Sequence, residues 1–88
     1  MSEIEKVSIT KSQYYALNEI RGFQQDAFYL IVGAKEYGNG YLLEGPSEAF
    51  DHLAKDVSDE VYYELSPKSR LKHLRTLLRR LEPDADIF

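Results

Sequence analysis

Apolar and polar residues follow several different rhythms along this chain, and the points where the rhythm changes mark its elements. In residues 4–9 (IEKVSI), Val7 and Ile9 fall on one face of a strand and Lys6 and Ser8 on the other. Thr10 stands three residues before Gln13, the spacing of a capping box, and Ile9 and Tyr14 occupy the two positions of a hydrophobic staple. A helix is therefore predicted from Thr10 to about Arg21. Ala16, Leu17 and Ile20 form its inward face, and Gly22 is the left-handed residue after its end.

Residues 27–37 (AFYLIVGAKEY) are apolar on both faces at their centre and rich in β-branched and aromatic side chains. That pattern predicts a central strand covered on both sides. The Gly-Asn-Gly that follows predicts a hairpin with Asn39-Gly40 as its two-residue turn. The resulting register sets Tyr37 opposite Leu42 and Lys35 opposite Glu44, two favourable cross-strand pairs.

Gly45-Pro46 closes the second hairpin strand and opens a helix with proline at its first position. Phe50, Leu53, Ala54 and Val57 recur at i, i+3, i+4, i+7, the stripe of an amphipathic helix. Continued without a break, this helix would carry Glu60 and Glu64 onto the stripe. Ser58 is therefore read as a new N-cap, with a short helical segment through Leu65. Ser66-Pro67 starts a last helix, 67–82, which Pro83 ends; residues 83–88 are expected to fray. On it Leu71, Leu74, Leu77, Leu78 and Leu81 form one seam about 120° wide. The reading is a single α+β domain over 1–88, in the order β-α-β-β-α-α: a small antiparallel sheet packed by three to four helices. A chain of 88 residues suits one modest core and leaves little for a deep, water-excluding pocket.

Charge changes this picture at one place. Residues 67–81 carry six cations and no acid; with the whole chain at −4, the remainder carries −10. Lys68, Lys72, Arg75 and Arg79 fall at i, i+4, i+7, i+11 and make a basic row beside the leucine seam, about 16 Å long. The row can lie along phosphates, or it can be balanced by Glu48, Asp51, Asp56, Asp59, Glu60 and Glu64 of the preceding helices. The second reading is preferred, because the negative long-range field repels polyanions and no aromatic or glycine interleaving accompanies the row. A helix-turn-helix reading of 52–66 fails because its groove-reading helix would carry three acids and no base.

Candidate chemistry is sparse. There is no cysteine, which excludes disulfides, thiolate metal sites and thiol nucleophiles. His52 and His73 are the only imidazoles and lie far apart in sequence, so no metal site, cofactor site or catalytic constellation is expected, and the chain is read as a non-enzyme. Neither a signal-peptide run nor a membrane-length apolar segment is present, which gives an expectation of a soluble, cytoplasmic protein without membrane partners. Seven tyrosines stand out. Tyr15 and Tyr63, the outer members of two doublets, and Tyr37 and Tyr41, flanking the hairpin tip, are candidate contacts for another protein. The expected function is thus a small binding or regulatory module that recognises a protein. The alternative is a nucleic-acid-associated factor using Lys68, Lys72, Arg75 and Arg79. The leucine-rich last helix also offers a route to a homodimer.

Overall fold

The structure, a computed structural model, describes residues 4–81; the tail 83–88 and the stop at Pro83 lie outside the described residues. Seven elements follow in order: β1 (Ile4–Thr10), α1 (Lys11–Asn18), α2 (Gln25–Val32), β2 (Lys35–Tyr37), β3 (Gly40–Pro46), α3 (Ser47–Tyr62) and α4 (Lys68–Leu81). The class is α+β, with a three-stranded antiparallel sheet in the order β1-β3-β2.

The first predicted boundary holds atom by atom. Thr10 Oγ1 accepts from the Gln13 amide at 3.1 Å, and Gln13 Oε1 accepts from the Thr10 amide at 2.9 Å. Two donors at the helix start are thereby satisfied reciprocally. Gln13 is also buried, and its Nε2 donates to Thr76 Oγ1 at 3.0 Å, so the cap ties α1 to α4. The helix itself is shorter than predicted. It ends at Asn18 with Glu19 as its cap, and Gly22, at φ +91°, turns the link that follows.

The predicted central strand over 27–37 is not a strand. Residues 25–32 are helix α2, and only Lys35–Tyr37 pairs in the sheet. An apolar run of this length does not distinguish strand from helix by its period; packing decides. Ala27, Leu30 and Ile31, at i, i+3 and i+4, are buried against the core. Leu30 presses on Gly45 of β3 so closely that a Cβ there would lie 2.4 Å from its Cδ2. The central strand is β3, which pairs with β1 over seven residues and with β2 over three.

The hairpin turn is shifted by one residue. Its central pair is Gly38-Asn39, with Gly38 at φ +57°, and Tyr37 stands opposite Gly40. Gly40 is needed inside the strand instead, because a Cβ there would lie 2.0 Å from the Ile9 carbonyl oxygen. The shift places Lys35 opposite Leu42, and Glu44 pairs with Lys6 of β1 at 3.4 Å.

Nor does the third helix break at Ser58. α3 runs unbroken from Ser47 to Tyr62, with Pro46 as its N-cap residue. The two misplaced acids are accommodated separately. Glu60 accepts the hydroxyl of the buried Ser66, and Glu64 lies beyond the helix end at φ +50°. In α4, Leu71, Leu74, Leu77 and Leu78 are buried and Leu81 packs beside them, as the seam predicted. They join Leu17, Leu53, Val57 and Val61 in one core that α4 shares with α1 and α3. The seam is therefore covered within the chain, so its leucines do not need a second copy to bury them.

Candidate functional surfaces

The predicted contact tyrosines do not converge. Tyr41 is half-buried and stacks on Tyr14, with centroids 3.9 Å apart and planes 20° from parallel. Tyr15 stands edge-on to Tyr14 at 6.0 Å, in a shallow groove between α1 and α4 with Ser12, Glu19, Arg70 and His73. Burial, then the neighbouring Tyr15, raises the Tyr41 hydroxyl above its ordinary range. Tyr37 lies at the hairpin tip above Gly40, near Arg80. Tyr63 follows the end of α3, edge-on to Tyr62 at 4.9 Å. Only Tyr15 and Tyr41 belong to one cluster.

A surface that the sequence reading missed is the outer side of α2. Phe28, Tyr29 and Val32 are 51%, 60% and 63% exposed. They are three large apolar side chains on one short helix, at i, i+1 and i+4, opposite the buried Ala27, Leu30 and Ile31. The signal was available in the run FYLIV; reading it as a doubly covered strand concealed it.

The N-terminal half of α2 is held on α3. The Gln24 amide donates to Asp56 Oδ2 at 3.0 Å, and Gln24 Nε2 donates to Asp56 Oδ1 at 3.4 Å. Asp26 Oδ2 meets His52 Nδ1 at 2.6 Å, while Asp26 Oδ1 accepts from the Ala27 amide at 2.9 Å. The His52 hydrogen bond is the chief cause of an Asp26 carboxyl held below the usual carboxylate range, against the smaller opposing effect of burial. Tyr29 takes a hydrogen bond from Gln25 Nε2 at 3.0 Å. Carboxylates crowd this end of the ridge. Asp26 and His52 share a shallow depression with Gln24, Gln25 and Tyr29, while Asp56, Asp59 and Glu60 line a second one with Arg21, Phe23 and Leu65.

His52 and Asp26 thus form an imidazole–carboxylate pair, the arrangement that orients a general base. The depression around them holds no serine, threonine or cysteine to activate. Among the described residues no group of three or more His, Asp or Glu could hold a metal ion, and no helix is long and apolar enough to cross a membrane.

The cations of α4 divide into two sets. Arg70, half-buried, and Arg80, exposed, bond to other parts of the chain. Arg70 lies 3.9 Å from Glu19 and donates to Ser66 Oγ at 3.5 Å, and Arg80 donates to the Ser8 carbonyl at 2.7 Å on β1. Lys68, Lys72 and Arg79 are exposed and Arg75 is half-buried. None of these four lies within ion-pair distance of a carboxylate among the described residues. The internal neutralisation expected for the row is therefore absent there. The acids of α3 that were to supply it include Asp56, which caps α2, and Glu60, which binds Ser66. No family model, curated protein or solved structure matches this chain.

Proposed function

We propose that the protein is a non-catalytic binding module that recognises a basic partner protein through the outer side of α2. The observation that carries this reading is the exposure of Phe28, Tyr29 and Val32 on one short helix. Removing a side chain of this kind from water contributes about 1.5–3 kcal/mol. A fold that holds three of them outward leaves that energy to be gained on association. Aromatic side chains surrounded by polar groups are the usual composition of an interface centre and rim.

The chemistry of the partner follows from the rim. Asp26, Asp56, Asp59 and Glu60 gather at the N-terminal end of the ridge, and the chain outside residues 67–81 carries −10. A partner with an apolar centre and a lysine- or arginine-rich border matches both features, because opposite charges at the rim favour its docking at contact range. The clamps from Gln24 and Asp26 to α3 keep the ridge fixed before binding, which limits the entropy lost on association.

The test is comparative purification from the source cell. Tagged wild-type chain and the triple variant F28S/Y29S/V32S are isolated side by side, and bound proteins are identified by mass spectrometry. A basic protein retained by the wild type and lost with the triple variant is expected, both chains melting as folded proteins. An identical set of bound proteins on the two chains would refute the reading.

A further inference from the structure

Arg70 and Arg80 of α4 have partners, and the row beside the leucine seam has none among the described residues. From this contrast we infer a second binding surface: Lys68, Lys72, Arg75 and Arg79 form a docking strip for the phosphodiester backbone of a nucleic acid. It is independent of the ridge on α2 and survives if that reading fails.

The geometry fits a linear polyanion better than a compact one. The four cations rise along one side of a straight helix at about 6, 4.5 and 6 Å intervals, about 16 Å in all, or roughly five base-pair steps of duplex. Thr76, bonded to Gln13, and His73, in the groove with Tyr15, mark the side of α4 that faces α1. The leucine seam faces the core. The row occupies the remaining, outer arc and stays accessible when the fold is complete.

The overall charge of −4 argues against polyanions at long range, but range decides its weight. At about 0.1 M ionic strength charges are screened over about 10 Å, whereas the molecule extends 34 × 27 × 24 Å. Asp26, Asp56 and Glu60 are bonded to His52, Gln24 and Ser66, and none of the row's cations is within ion-pair distance of them, so the row meets a ligand at contact with its own charge. Duplex nucleic acid adds a gain that a folded acidic protein does not offer, the release of condensed counterions for each phosphate neutralised. A row of cations spaced along a helix flank meets phosphates rather than base edges, so the strip is expected to bind without strong sequence preference.

The experiment is fluorescence anisotropy with a labelled 20-base-pair DNA duplex, titrated with the full chain at several salt concentrations. Four phosphate contacts give a slope of about −3.6 in log K against log salt, so affinity falls about 50-fold between about 50 and 150 mM salt. In K72A/R75A the slope halves to about −1.8 and the fall shrinks to about 7-fold. Lys55→Ala, an exposed cation on α3, leaves the slope unchanged; thermal melts of both variants confirm that they are folded. No anisotropy change at about 50 mM salt, or a K72A/R75A slope equal to wild type, would overturn the inference. Binding of a polyglutamate 20-mer as tight as that of the duplex would also overturn it, and would assign the strip to an acidic protein.

Discussion

Helices α2 and α4 obey the same geometry, and only one of them announces itself. In α4 the inward positions are leucines and the outward ones are lysine and arginine, so the 3.6-residue period is written in the chemistry. In α2 the inward Ala27, Leu30 and Ile31 are matched by the outward Phe28, Tyr29 and Val32, and the period vanishes. The lesson is specific. An amphipathic helix is legible because its outer face is polar, whatever that face meets. A helix that is apolar on both sides yet half-exposed loses that pattern, and on the proposed reading its outer face is kept for a partner. The loss of the pattern and the presence of the surface have one cause.

The comparison is broken most forcefully from the inside. Leu74 of α4 is fully buried and Leu30 of α2 nearly so. Leu74→Ala and Leu30→Ala should each cost about 2–5 kcal/mol in urea denaturation. A strand covered on both faces would put positions 28 and 30 on the same side and make them equally sensitive. In the helix they lie on opposite sides and Phe28 is half-exposed, so Phe28→Ser should cost only about 1 kcal/mol, well below the loss at position 30. Equal large losses at 28 and 30 would return residues 27–32 to a strand.

A middle-sized effect sharpens the link between α1 and α4. Thr10→Ala removes one half of the capping box and should cost about 1 kcal/mol. Gln13→Ala should cost more than Thr10→Ala, because it also leaves Thr76 without the buried amide donor. Chemical denaturation of the two variants side by side orders them; the reverse order would mean that Gln13 acts as a cap alone.

The smallest effect concerns pH and separates the two helices again. Asp26 is held below the ordinary carboxylate range, chiefly by His52. Its folded value lies below its unfolded one, so its contribution is complete above the usual aspartate range and is lost as pH falls through the folded value. Melting temperatures followed from about pH 6 to about pH 2.5 should drop less steeply for Asp26→Asn than for wild type. Arg75→Ala on α4 should leave the shape of that curve unaltered.

These contrasts also explain how far the sequence could be read. The class, the first strand, the capping box at Thr10 and Gln13, the stripe through Phe50 and Val57, and the leucine seam were all legible, because each rests on local geometry or on a polar outer face. The errors arose where a distant contact decides. Gly40 looks like the second residue of a turn, yet the Ile9 carbonyl beside it requires a glycine in the strand and moves the turn back to Gly38-Asn39. Glu60 looks like a helix break, yet Ser66 gives its carboxylate a partner and α3 runs on. The chemistry of a tyrosine marks it as a candidate contact, but no local rule states which of them share a surface. The helix that carries the basic row follows from its period, but whether carboxylates reach the row depends on commitments that Asp56 and Glu60 make elsewhere.

The most direct measurement compares the two sets of candidate contacts in the source cell. A photo-reactive benzophenone side chain is placed at position 28 or 29 on α2, and separately at positions 15, 37 and 63. The account predicts an adduct with a basic protein from positions 28 and 29 and none from the other three. An adduct from 15, 37 or 63 with nothing captured from α2 would contradict it.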